Sequence, residues 1–222
     1  MEETEPVDTV DVTEALRSDI LLGGLRPGEW LRQVDLQRRY DCTRSAVRTA
    51  LANLTSRQMV EHIPNRGFRV VQPSSELRLE ITAVRLLLEL SAVDDIVECA
   101  TKADIAEIRS AAVAFDEGVD VVPYNEMRRR NHLFHRALIA PARNSTLVNL
   151  TNELRERDLP GDWSSWSIAS NVRRSSADHL AMVAALEARD AARLRGLIEA
   201  HLTAWKTEQG ALDAVAKERR TG

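Results

Sequence analysis

The chain has 222 residues, 44% of them hydrophobic and 29% charged, which describes a globular protein able to bury a core. Its two cysteines, Cys42 and Cys99, form no C-x-x-C pair, so the sequence supports neither a zinc ribbon nor a disulfide framework and fits a reducing cytoplasm. No apolar run approaches the length of a membrane span, and the acidic start MEETEPVDTVDV has no apolar stretch of the kind a secretory signal needs. The net charge of −4 is unevenly spread. Residues 1–11 hold five acids and no base, whereas residues 12–72 hold ten arginines, no lysine and six acids. The positive charge is thus concentrated in one short segment, as phosphate contacts require.

In chain order, residues 1–11 read as a disordered acidic tail. A helix is expected from about Val12 to Leu22, with Val12, Leu16 and Ile20 on one face, ended by Gly23-Gly24. Leu25-Arg26-Pro27-Gly28 is a turn, and Trp30-Leu31 a short apolar element. A brief helix spans Gln33 to Tyr40. Asp41-Cys42 then leads to Thr43, an N-cap for a helix from Arg44 to about Leu54. Val47, Ala50, Leu51 and Leu54 form its buried face, and Arg44, Ser45, Arg48 and Thr49 lie on the other side. Strands are expected at Met59–Ile63 and Phe68–Val71, joined by a turn at Pro64-Asn65-Arg66-Gly67.

Residues 73–76 read as a linker. Beyond them only helical patterns appear, to about residue 210, with breaks near Gly118, Pro123, Pro141, Pro160-Gly161 and Ser175-Ser176. Leu79, Val84, Leu87, Leu88, Leu90 and Val93 give the first of these helices an apolar face; others are expected at 102–117, 124–140, 144–157, 176–189 and 190–209. The fold class is therefore mainly α. A winged helix-turn-helix at 12–72 precedes an all-helical bundle of six to seven helices at 77–210, and 211–222 form a tail.

A helix bearing exposed arginines, followed by a hairpin with arginine and glycine at its tip, has the shape to read a major groove and touch a neighbouring minor groove. The run LRSDILLGGLRPGEWLRQVDLQRRYDCTRSAVRTALANLTSRQMVEHIPNRGFRVV resembles the GntR family of transcription regulators. The L-x-P-G-x-x-L turn, the [ST]-R-x-x-V-R-x-A-L recognition helix and the P-x-R-G-x-x-V wing occur in order over about sixty residues. The resemblance implies DNA contacts by Arg44, Ser45 and Arg48, with Thr49 beside them, and by Arg66 and Gly67 of the wing. Two departures stand out. The second helix reads Val34-Asp35-Leu36-Gln37 where the family has a glutamate and a Leu-Ala pair, and Asp41-Cys42 replaces the usual Gly-Val.

Three of the five histidines, His135, His179 and His201, fall on separate helical stretches, and Asn131 lies one turn before His135. Dispersed histidines are ordinary core or surface residues in most helical proteins. Imidazoles brought together on facing helices instead suit a cation of the Zn, Ni, Fe or Mn type. The stretches VRLLLEL, NHLFHRALIAPARNSTL, DHLAMVAALEARDAARL and LIEAHL resemble the FadR-type C-terminal sensor, the FCD domain. That resemblance implies a divalent metal held by His135, His179 and His201, with Asn131 where the family has aspartate. It also implies an organic-acid effector for which Arg85 is a pocket cation; the alternative for Arg85 is a surface pairing with Glu89 at i+4. Trp163 and Trp166 either line the pocket or pack a loop, and loop packing is the reading preferred.

The expected function is a ligand-responsive regulator, a repressor or an activator, that binds a pseudo-palindromic operator of double-stranded DNA as a homodimer in the cytoplasm, with no membrane association. The rival reading is a metal-dependent enzyme localised by its DNA-binding domain, since three histidines and an open position can activate water. No H-E-x-x-H motif supplies that enzyme with a base.

Overall fold

The computed structural model describes residues 9–157 and 169–204. These divide into two compact units, residues 9–74 with 155–157 and residues 75–154 with 169–204.

In the first unit, α1 (Thr9–Leu22), α2 (Gln33–Tyr40) and α3 (Arg44–Ser56) pack with β1 (Trp30–Leu31), β2 (Val60–Ile63) and β3 (Gly67–Val70). The expected helix at 12–22 thus begins three residues earlier. Val12, Leu16 and Ile20 recur every four residues, so one stripe of α1 meets Val47, Ala50, Leu51 and Leu54 of α3, and all seven are buried. Thr43 caps α3 by accepting a hydrogen bond from the Ala46 N–H at 3.2 Å. Asp41, just before it, lies in the left-handed region at φ 46° and ψ 54°. Glycine pays least there and aspartate is among the few other residues that tolerate it, so the departure at 41 keeps the backbone path.

The three strands form an antiparallel sheet in the order β1-β3-β2. Trp30 pairs with Arg69, Val60 with Val70 and Ile63 with Gly67. The β2–β3 turn needs Asn65 at φ 63° and Gly67 at φ 98°, residue types suited to positive φ.

In the second unit, α4 (Ser75–Cys99), α5 (Lys102–Gly118), α6 (Tyr124–Ile139), α7 (Ser145–Arg157) and α8 (Ala169–Glu187) are followed by a helix over 191–204, here α9. A capping box opens α5. Thr101 Oγ1 accepts from the Asp104 N–H at 3.1 Å, and Asp104 Oδ2 accepts from the Thr101 N–H at 2.8 Å. Gly118 ends α5 where α6 comes close: a Cβ there would lie 2.8 Å from Met127 Sδ. The core joins α4 (Ala92, Val93, Ile96), α5 (Ile108, Ala112), α6 (Phe134, Leu138), α8 (Met182, Val183, Leu186) and α9 (Leu194, Ile198, Leu202). Among the described residues no helix is long and apolar enough to cross a membrane.

Two sequence expectations are corrected here. The apolar face assigned to the first bundle helix is misplaced, because Leu79, Val84 and Leu87 of α4 are exposed. The buried stripe is Ile81, Thr82, Arg85, Glu89, Ala92, Val93 and Ile96, and its polar half hid it from a count of leucines. The break expected at Ser175-Ser176 is absent, since α8 runs through both. Ser176 Oγ donates to Asp116 Oδ1 at 2.5 Å, so a hydroxyl that reads as a breaker serves as a tertiary contact. Trp163 and Trp166, the tail at 211–222 and the end of the helix expected at 190–209 lie outside the described residues.

Candidate functional site

Each unit presents one candidate site. In the first, burial of Ala46, Val47, Ala50, Leu51 and Leu54 turns the rest of α3 outward, and Arg44, Ser45, Arg48 and Thr49 are all exposed. The two N-terminal hydroxyls, Thr43 Oγ1 and Ser45 Oγ, lie 2.9 Å apart. Arg66 is exposed at the tip of the β2–β3 turn, next to Gly67. Arg69 is held on the sheet. Its Nε donates to Glu61 Oε1 at 2.7 Å, and its guanidinium lies over the Trp30 ring at 5.8 Å. The sequence pattern did not single out that arrangement, since the pairing of Trp30 with Arg69 follows only from the strand register.

In the second unit, α6 carries Asn131 and His135 one turn apart, α8 carries His179 and α9 carries His201. The structure brings the three histidines together: one ring nitrogen of each lies within 4.8 Å of the others. His135 Nε2 and His201 Nε2 are 3.3 Å apart. Two nitrogens bound to one tetrahedral ion at about 2.0–2.1 Å lie about 3.3–3.4 Å apart, so the spacing fits a shared cation. His179 is fully buried, with its ring stacked on Phe134 at 3.9 Å and met edge-on by Phe115 at 4.8 Å. Asn131 Oδ1 is buried and has no hydrogen-bond partner among the described residues, so it is available to a ligand.

Behind the cluster stands Asp178, which the sequence reading missed. His201 Nδ1–H donates to its Oδ2 at 2.9 Å. A carboxylate accepts only, so Nδ1 carries a proton, and in the neutral ring this leaves the lone pair of Nε2 facing His135. The signal was the Asp-His pair in SADHLAMV, but adjacent residues on a helix point about 100° apart, and only the placement of α9 shows that Asp178 serves His201 and not its neighbour.

Arg85 is buried on α4, and its Nε donates to Glu89 Oε1 at 3.1 Å. The pairing considered from sequence is therefore present, but inside the bundle and not on its surface. On the same inner stripe as Asn131 and His135, Tyr124 and Arg128 carry the polar lining toward the start of α6; burial pushes the Tyr124 phenol up and the Arg128 guanidinium down from their ordinary values. A second group, Asp95, Glu98 and Cys99, lies at the end of α4. Arg143 occupies it, donating to Asp95 Oδ1 at 2.6 Å and Glu98 Oε2 at 3.0 Å. Cys42 and Cys99 are both free thiols.

Residues 9–70 match the family model described as bacterial regulatory proteins of the gntR family, and residues 80–204 match the FCD domain. The chain belongs to the GntR family, FCD type. This GntR-FCD protein is 26% identical over 208 residues to the HTH-type transcriptional repressor GlaR of Escherichia coli (strain K12), an alignment spanning 88% of this chain and 93% of GlaR. Among solved structures, E. coli McbR/YncC superposes with a TM-score of 0.80 at 23% identity, covering 96% of this chain and 99% of that one. A GntR transcriptional regulator from Rhodococcus sp. RHA1 gives 0.76 at 22% identity, covering 90% and 96%. At those identities the structures establish the fold. The family assignment makes this GntR-FCD chain a DNA-binding transcription regulator, and its matched families and relatives are regulators and not enzymes.

Proposed function

We propose that this regulator binds a pseudo-palindromic operator as a homodimer and responds to a small organic acid held in its helical domain beside a divalent metal. Arg44, Ser45, Arg48 and Thr49 would enter the major groove from α3, with Arg66 and Gly67 of the wing at the adjacent groove. The exposed apolar residues of α4, with Leu87 74% exposed, support self-association through that helix. GlaR is named as a repressor, and repression is the sign we extend to this chain.

His135, His179 and His201 would hold the metal, with Asn131 Oδ1 as a fourth, oxygen ligand. Three imidazoles and an amide suit a late first-row ion of the Zn, Ni or Fe type, or Mn, better than Mg or Ca. When bound, the ion supplies a Lewis-acid centre for a carboxylate. Arg85 supplies a buried cation within the same bundle, already oriented by Glu89. The observation that carries this reading is the 3.3 Å approach of His135 Nε2 to His201 Nε2 beside a buried His179 packed against Phe115 and Phe134.

The experiment is metal analysis of purified full-length protein, followed by thermal unfolding with and without chelator. A ligand bound only by the folded state stabilises it by mass action, about 2.7 kcal/mol at a hundredfold excess over Kd. Chelator should lower Tm in the wild type and leave His179→Ala unaffected. A wild type whose Tm ignores both chelator and added Zn or Ni would remove the metal from this proposal and leave the operator-binding role intact.

A further inference from the structure

Resting on that metal reading, we propose that Asn131 makes metal retention conditional on an anion: the dication and a carboxylate effector bind as a pair, each weakly without the other. The donor set carries the argument. Among the described residues, no carboxylate joins the cluster of His135, His179 and His201. Asp178 is the nearby acid, and its Oδ2 is engaged at His201 Nδ1, on the edge of the ring away from Nε2. Its charge therefore strengthens His201 as a donor and does not occupy a ligand position. The oxygen one turn from His135 is the Asn131 amide, buried, without a hydrogen-bond partner among the described residues, and neutral.

An ion held here keeps its full double charge against the aromatic rings of Phe115 and Phe134, which pack on His179. Burying uncompensated charge against apolar walls is costly, and an anion on an open coordination position offsets that cost. By linkage, an anion that raises metal affinity has its own affinity raised by the same factor. An aspartate at 131 would supply the negative charge permanently and remove the coupling. The asparagine thus turns a resident metal into a co-ligand, so that the regulator reads the effector and the metal together.

The test is titration of Co2+ into the full-length protein, followed by visible absorption, in sodium perchlorate and in sodium acetate at matched ionic strength. Acetate is the probe anion. Wild type should bind Co2+ about tenfold more tightly in acetate, within the usual range of coupling between sites. Asn131→Asp should bind tightly in both salts, changing by less than about twofold. His179→Ala, measured alongside, should lose the saturable spectrum. If wild type binds Co2+ equally well in both salts and His179→Ala does not bind, the coupling is overturned while the metal site stands. Equal acetate dependence in wild type and Asn131→Asp overturns the role of Asn131. No saturable spectrum in any variant, even in acetate, overturns the metal reading and the coupling with it.

Discussion

The two halves of this chain place their chemistry on opposite sides of their surfaces. Every buried side chain described in residues 12–74 is apolar, and its arginines face outward from α3 and the wing. The helical unit buries Thr82, Arg85, Glu89, Arg128, His135, Asn171, Ser175, Ser176 and His179. The difference matches what each half is proposed to recognise. A DNA duplex is too large to enclose, so its reader needs a rigid apolar frame with charges on the outside. A small acid can be enclosed, and enclosure requires polar groups in the interior, where each must find a partner.

The contrast predicts where mutations act and how strongly. The largest effect belongs to the helical interior. Phe134 is fully buried and carries the stack on His179, so Phe134→Ala should cost about 3–5 kcal/mol in urea unfolding. It should also weaken metal binding by freeing the His179 ring. A loss under about 1 kcal/mol would mean that the site's aromatic wall is not part of the core.

On the outer face of the winged unit, Arg48→Ala should weaken operator binding by about 1–3 kcal/mol in gel-shift titration, with native circular dichroism and an unchanged Tm. Unchanged affinity would show that α3 presents another edge to DNA. A smaller effect, about 1 kcal/mol of stability, is expected for Thr43→Ala, which removes the cap that accepts from Ala46 N–H. Because that cap sits beside Arg44 and Ser45, operator affinity should fall with it. Stability falling without affinity would separate the frame from the reader.

The smallest effect is set by pH. Hydrogen bonds from Arg129 and Arg130 hold the Glu126 carboxyl down to about 2. A depressed carboxyl contributes stability that is present above its ordinary value and is lost as pH falls toward 2. Glu126 is partly exposed to solvent, so screening limits the contribution to about 0.5 kcal/mol. Glu126→Gln should therefore lower stability slightly at neutral pH, and the difference from wild type should vanish in acid. A difference that persists at pH 2 would assign the effect to helix packing and not to charge.

The winged unit was legible in the sequence because its signals are local. Thr43 before Arg44, Val47-Ala50-Leu51-Leu54 on one face and Asn65-Arg66-Gly67 at a turn each act within a few residues, and the structure forms α3 and the hairpin there. In the bundle, local patterns misled. Leu79, Val84 and Leu87 look like a core face, yet three of the seven buried residues of α4 are polar. Ser175-Ser176 looks like a break, yet Ser176 contacts Asp116, sixty residues away.

For the histidines, the sequence by itself determined little more than candidates: the type of donor, the one-turn spacing of Asn131 and His135, and the resemblance that grouped them with His179 and His201. Tertiary structure alone decided that α6, α8 and α9 bring three ring nitrogens within 4.8 Å, that Asp178 backs His201, and that Arg85 meets Glu89 in the interior. The physical reason is one of range. Helical periodicity assigns a residue to a face over a few turns, but which faces meet depends on how six described helices pack around one core, and that is settled by contacts between residues far apart in the chain.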